Sequence, residues 1–149
     1  MTIRYDTDFY QWTQEQAALL TARDADALDF ENLAEEIRSL GASDRRELHT
    51  RLYQLLLHLL KWQYQPAGRR TGHSWRSSIR EQRRRLALVL RESPSLRRTV
   101  PAVLTEEYPE AREAASDETG LPLATFPATC SWTPEQVLDA DFWPEDAGA

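Results

Sequence analysis

The densest apolar stretch of the chain lies between residues 48 and 64. Its apolar residues form two stripes of helical spacing: Leu48, Leu52, Leu55, Leu56 and Leu59, and then Tyr53, Leu57, Leu60 and Tyr64. A helix that is apolar around most of its circumference is normally buried. We therefore predict a central helix over about residues 43–65. Its remaining face is a narrow polar strip formed by Gln54, His58, Lys61 and Gln65.

Two shorter helices are predicted before the central one. The first begins at Asp6 or Thr7, since both are good N-cap residues, and it ends near Arg23. The second begins after the N-cap residue Asp29 and ends at Gly41, because glycine commonly follows the last residue of a helix. Its apolar face is made of Phe30, Leu33, Ala34, Ile37 and Leu40.

Helical patterns also follow the central helix. A loop over residues 66–72 leads to a fourth helix capped by Ser74. The pattern Thr133-Pro134-Glu135-Gln136 is a capping box, and it predicts a short C-terminal helix. Three aromatic residues near it are expected to anchor the tail on the bundle: Trp132, Phe142 and Trp143.

A fifth helix is predicted between Ser93-Pro94, a favourable helix start, and Gly120, a favourable helix end. Pro101 and Pro109 fall inside this segment. Because proline lacks the backbone N–H and its ring clashes with the preceding turn, we expect the fifth helix to be kinked or broken.

The composition agrees with these patterns. The chain has 149 residues, the usual size of one domain, and only 5 of them are glycines. Leucine, alanine, glutamate and arginine are abundant and β-branched residues are few, which favours helix. We predict an all-α protein, a single-domain helical bundle of about five helices around the central helix. Its core would span about residues 5–120, with the tail at 121–149 packed back on it.

Cysteine content and hydropathy narrow the expected location. The single cysteine, Cys130, excludes an internal disulfide and suits a reducing cytosol, and no neighbouring cation marks it as a nucleophile. Residues 1–10 lack the apolar core of a signal peptide. No apolar run approaches the roughly 20 residues of a membrane span. We expect a cytoplasmic protein without a membrane partner.

The net charge of −6 hides a strong segregation of charge along the chain. Residues 61–98 hold 11 basic and 2 acidic residues, whereas the rest of the chain holds 7 basic and 22 acidic residues. At about 100° per residue, five arginines of the fourth helix fall within an arc of roughly 100°. These are Arg76, Arg80, Arg83, Arg84 and Arg91, preceded in the loop by Arg69 and Arg70. All seven are the predicted binding residues.

The arginine-rich segment supports two binding hypotheses. In the first, the chain is a non-catalytic interaction or regulatory module, whose arginines dock on an acidic surface of another protein or of a second copy of the chain. In the second, the same arginines bind nucleic acid, with the interleaved aromatic residues as stacking groups. Those interleaved residues are Trp62, Tyr64, His73 and Trp75.

A third hypothesis is a metal-dependent enzyme. Glu31, Glu35 and Glu36 of the second helix face, in this prediction, His58 of the third, and a set of carboxylates and imidazole suits a transition metal. A hydrogen-bonded network between the two helices is the alternative. Because the chain has neither a Gly-x-Ser-x-Gly motif nor a phosphate-binding glycine loop, we predict no catalytic residue and no cofactor.

Ordered sequence blocks add a resemblance. They are Tyr5 to Trp12, Leu28 to Ile37 with Ser39-Leu40-Gly41, Leu57 to Gln63, Ser74-Trp75 with Ile79-Arg80, Glu92 to Leu96, and Glu118 to Pro122. In this order the chain resembles the bacterial family called domain of unknown function 29, from about Tyr5 to Pro144. The resemblance implies a small, all-helical bacterial protein and brings no established activity.

Overall fold

The computed structural model describes residues 4–71 and 73–145, and at residues 69–71 and 73 the description is limited to the backbone. Within these ranges the chain has six α-helices and no strand, and it is 79% helical. The all-α prediction is therefore confirmed. The helices are α1 (Phe9–Ala22), α2 (Phe30–Tyr64), α3 (Pro66–Thr71), α4 (His73–Glu92), α5 (Val100–Thr119) and α6 (Pro134–Leu138).

The chain divides into two compact units, Met1–Ser43 and Asp44–Ala149, and α2 contributes residues to both. The prediction of a single domain stays a prediction. In the first unit, α1 is capped by Asp8, whose carboxylate accepts a hydrogen bond from the Gln11 backbone N–H at 3.0 Å. The predicted caps, Asp6 and Thr7, are wrong.

Asp29 joins α1 to the beginning of α2 within the first unit. Its carboxylate accepts hydrogen bonds from the Trp12 indole N–H at 3.1 Å and from the Asn32 backbone N–H at 3.3 Å. Its own backbone N–H donates to the side-chain oxygen of Gln16 at 2.9 Å. Trp12 and Gln16 are buried. Asp29 is thus the predicted N-cap, and it also bonds to the Trp12 indole and to the side-chain oxygen of Gln16.

The predicted break at Gly41 is wrong, because α2 is one helix of 35 residues. A glycine inside a helix costs about 1 kcal/mol relative to alanine, which is too little to end a helix whose neighbouring residues continue it. The apolar face of this segment is only partly covered, since Leu33 and Ala34 are half-buried. Phe30, Ile37 and Leu40 are 62%, 68% and 70% exposed.

The second unit is built on the C-terminal half of α2, which confirms the predicted central helix. Seven leucines of this half are buried: Leu48, Leu52, Leu55, Leu56, Leu57, Leu59 and Leu60. They share one apolar cluster with buried residues of α4 and α5, among them Ile79, Leu86, Leu104 and Tyr108. The leucines of both predicted stripes are therefore covered, and Tyr53 and Tyr64 of the second stripe are partly buried.

The chain after α5 contributes to this same core. Phe126, Trp132 and Val137 belong to the apolar cluster, and the Trp143 ring lies 4.6 Å from that of Trp62, between centroids. The Tyr108 hydroxyl donates to the Pro127 carbonyl at 2.6 Å. The second unit thus includes residues on both sides of α6.

The region around α5 differs in part from the prediction. Pro94–Thr99 forms a 3₁₀ helix, and α5 follows without a break at Pro109. Pro101 lies in the first turn, where no intrahelical N–H is needed. Gly120 has φ 76° and ends the helix as predicted.

The shorter helices also test the sequence patterns. The capping box of Thr133 and Gln136 is present at α6, as predicted. The predicted loop over residues 66–72 is wrong in part, since it contains α3, and the predicted cap Ser74 lies inside α4.

None of the helices in the described ranges is both long enough and apolar enough to cross a membrane.

Two glycines in helices should respond oppositely to substitution by alanine. A Cβ at Gly41 would have no heavy atom within 4 Å, whereas a Cβ at Gly68 would clash with the Trp75 indole. We expect Gly41→Ala to raise the free energy of unfolding by about 0.5–1 kcal/mol through the lower entropy of the unfolded chain. Gly68→Ala should lower it by about 1–3 kcal/mol, the usual cost of overpacking. Urea unfolding of both variants measures the two signs, and shifts of the same sign contradict the packing described.

Candidate functional site

Most arginines predicted on α4 share one exposed surface. Arg76, Arg80 and Arg84 follow one another at intervals of four residues, and all three side chains are exposed. They line a cleft of about 530 Å³ together with Ser77 and Glu81. Arg91 is exposed and, at 100° per residue, lies on the same side of the helix. We call Arg76, Arg80, Arg84 and Arg91 the arginine face.

Arg83 does not belong to this face, because it is 4% exposed. Its guanidinium donates hydrogen bonds to the carbonyls of Val137 at 2.9 Å and Phe142 at 2.7 Å. Burial lowers the pKa of Arg83. On the helix, Arg83 is the member of the predicted stripe nearest the apolar face, so the tail that covers that face covers Arg83 too. The prediction of Arg83 as a binding residue is therefore wrong.

Glu81 neutralises part of the positive charge beside the arginine face. Its carboxylate accepts hydrogen bonds from Arg84 and Arg85, each at 2.8 Å. These bonds lower the pKa of Glu81 to about 2, so the carboxylate is charged at neutral pH. All three side chains are in contact with solvent, where ion pairs add little to stability. Arg76 and Arg80 add two further cations to the same cleft.

Three of the four aromatic residues proposed as stacking groups are packed within the protein. Trp62 contacts Trp143, and the Tyr64 ring lies 5.1 Å from that of Phe126. The Trp75 ring lies 5.9 Å from the Lys61 ammonium. The side chain of His73, the fourth residue, is outside the described part, as are those of Arg69 and Arg70, whose backbone lies in α3.

The Trp143 ring also contacts two arginines of α4, one of which belongs to the arginine face. The guanidinium of Arg76 lies 5.4 Å from the centre of the Trp143 ring, and that of Arg83 lies 5.6 Å from it. Cations at such distances over an indole are attracted by its π electrons. The tail therefore holds the first arginine of the face in position.

A family model matches residues 4–143 and is described as domain of unknown function DUF29. The chain belongs to the DUF29 family. This match confirms the resemblance seen in the sequence. Neither a curated protein nor a solved structure matches the chain.

The predicted polar network of this DUF29 chain required two helices side by side, but its residues lie on one helix. Glu31, Glu35, Glu36 and His58 all belong to α2. Glu36 accepts a hydrogen bond from the Tyr5 hydroxyl, which raises the pKa of Tyr5 to about 12. Glu35 pairs with Arg38, one turn further along the helix. The network is therefore wrong as predicted, and so is the metal site drawn from it.

His58 makes its contact within α2. Its Nδ1 lies 2.8 Å from the Gln54 carbonyl, and burial lowers its pKa, which favours the neutral ring. Other members of the predicted polar strip reach α5: the Lys61 ammonium donates to Glu118 at 2.8 Å, and the Gln65 amide donates to the Thr119 carbonyl at 3.5 Å. The strip thus forms a polar seam between α2 and α5.

A second polar contact between α2 and α5 is a cluster that sequence reasoning missed. His49 Nδ1 lies 2.8 Å from the Glu107 carboxylate and 3.7 Å from that of Glu106. Polar residues surround His49 in the sequence, but its side chain is only 29% exposed. The adjacent pair of glutamates was the available signal. It could not be used without knowing which face of α5 turns toward α2.

Substitutions of two neighbouring arginines, one buried and one exposed, should have different effects on the free energy of unfolding. Arg83→Ala removes a buried cation and leaves carbonyls of the tail without donors, so we expect it to lower the free energy of unfolding by about 2–4 kcal/mol. Arg84→Ala removes an exposed ion pair and should change it by about 0.5 kcal/mol or less. Urea unfolding compares the two, and equal effects contradict the buried position of Arg83.

Proposed function

We propose that this DUF29 chain is a non-catalytic interaction module whose arginine face binds an acidic surface of a protein. The observation that carries the proposal is the cleft lined by Arg76, Arg80 and Arg84, three exposed guanidiniums on one side of a helix. Guanidinium groups form paired hydrogen bonds with carboxylates, and three in register match a row of acidic side chains.

The spacing of the face indicates the shape of the partner. Residues four apart on a helix lie about 6 Å apart along its axis, since each residue rises 1.5 Å. Carboxylates four residues apart on a partner helix have the same spacing. An acidic helix lying along α4 could therefore pair with Arg76, Arg80 and Arg84 in turn.

The packing of the aromatic residues favours protein over nucleic acid as the partner. Sequence-independent binding of single strands uses aromatic rings on which bases stack. Trp62 and Tyr64 are partly buried against Trp143 and Phe126, and Trp75 covers Gly68. In the part of the chain that the structure describes, the arginine face therefore offers mainly charge and hydrogen bonds, which suit an acidic protein surface.

A second copy of the chain is one partner with suitable charge. The residues outside 61–98 carry 22 acidic and 7 basic side chains, so each copy offers both a basic face and an acidic remainder. Self-association and binding of another acidic protein use the same face. The experiment below therefore measures both.

Charge reversal of the arginine face tests the proposal. The triple variant Arg76→Glu, Arg80→Glu, Arg84→Glu should weaken binding of a glutamate-rich helical peptide at least about tenfold, because three ion pairs of up to about 1 kcal/mol each are lost and repulsion replaces them. Titration calorimetry measures the peptide, and analytical ultracentrifugation measures self-association at matched low salt.

The matched control reverses three exposed arginines elsewhere, Arg46→Glu, Arg97→Glu and Arg98→Glu, with the same change in net charge. It should keep most of the affinity. Equal losses in the two triple variants would reduce the effect to overall charge and contradict the proposal. A wild-type chain that binds single-stranded oligonucleotides more tightly than the peptide at physiological salt would support nucleic-acid binding instead.

A further inference from the structure

The cluster of His49, Glu106 and Glu107 joins α2 to α5 within the second unit. One oxygen of each glutamate and one nitrogen of His49 lie within 4.8 Å of one another. Glu107 and His49 are mostly buried, with 23% and 29% of their side chains exposed, whereas Glu106 is 69% exposed. The cluster therefore has a protected side and a side open to solvent.

The convergence of Glu106 and Glu107 requires a common attraction. Side chains of adjacent helical residues leave the helix about 100° apart and do not face each other. Here both carboxylates nevertheless turn toward the same ring nitrogen, although two like charges repel each other. One imidazole faces two carboxylates. A divalent cation would neutralise both.

The distances suit a shared metal ion. Transition ions bind imidazole nitrogen and carboxylate oxygen at about 2.0–2.2 Å, which places ligand atoms of a tetrahedral site about 3.4 Å apart. The separations of His49 Nδ1 from the two carboxylates, 2.8 Å and 3.7 Å, bracket that value. Small side-chain rotations would therefore bring all three atoms to bonding distance of one ion.

Space for further ligands is present on both sides of His49. One cleft of about 400 Å³ is lined by His49, Tyr53, Glu107 and Glu110, among others. A second, of about 270 Å³, includes His49 and Glu106 in its lining. Three protein ligands beside open space are typical of zinc sites that complete their coordination with water.

We infer that His49, Glu106 and Glu107 bind a divalent first-row transition ion such as Zn²⁺, which links α2 to α5. An imidazole with two carboxylates suits Zn²⁺, Mn²⁺ or Co²⁺, and the imidazole disfavours Ca²⁺ and Mg²⁺, which prefer oxygen ligands. This site is separate from the arginine face and does not depend on the proposed interaction.

Titration of the metal-free, untagged full chain with ZnCl₂ tests the inference. Calorimetry should give one ion per chain, and a saturating excess of Zn²⁺ should raise the midpoint of thermal unfolding, because the ion binds the folded state. CoCl₂ should produce a visible absorption band, and an excess of MgCl₂ should not displace Zn²⁺. Absence of stoichiometric Zn²⁺ binding would overturn the inference and leave an ion pair between His49 and the glutamates.

Substitutions of the three proposed ligand residues test whether they bind the ion. Loss of an outer partner of a metal ligand costs about 10–100-fold in affinity, so His49→Ala and Glu107→Gln should each cost at least tenfold. Glu106→Gln changes the exposed position of the site, so it remains a usable variant if another one unfolds. Circular dichroism checks that each variant is folded. Glu113→Gln, an exposed glutamate of α5 outside the cluster, should bind like the wild type. His58 and His73 remain in every variant, so wild-type affinity of His49→Ala would assign the ion elsewhere and overturn the site.

Discussion

The second unit depends on the burial of one helix half that is apolar on nearly every side. A single neighbour cannot cover all of its leucines, because the stripe that contains Leu48 and the stripe that contains Leu57 point in different directions. Side chains of α4, α5 and the tail share the apolar cluster with them. The polar seam occupies the strip that remains, which is why Lys61 meets a carboxylate of α5 rather than apolar side chains.

This arrangement turns the outer surface of α4 into the arginine face. Ile79 and Leu86 are committed to the core, so charged residues on the other side of the helix remain in solvent. The tail then packs along one edge of α4 and divides the arginines into two groups. Arg83, at the edge, donates to backbone carbonyls, whereas Arg80 and Arg84 stay exposed. One periodic stripe thus contains both a residue committed to the fold and residues left exposed to solvent.

Much of the fold could be predicted because helical periodicity and capping residues act locally. The central helix, the cap at Asp29 and the end at Gly120 all follow from a few adjacent residues. The break at Gly41 was wrong because propensity alone does not decide where a long helix ends. The candidate sites were harder to predict. Whether Arg83 is buried and whether Glu107 meets His49 depend on which helix faces are in contact, which the periodicity of a single helix does not reveal.

The contacts of Arg83 have a consequence for work with shortened forms of the protein. The carbonyls of Val137 and Phe142 cover its guanidinium. A chain cut before α6 would lose both and would expose Arg83 beside Arg80 and Arg84. Such a fragment would display a more cationic surface than the intact chain, together with uncovered apolar side chains of the core. The affinity of this fragment for polyanions would exceed that of the intact chain. A fragment that ends with α5 is therefore a poor substitute for the intact chain in binding measurements.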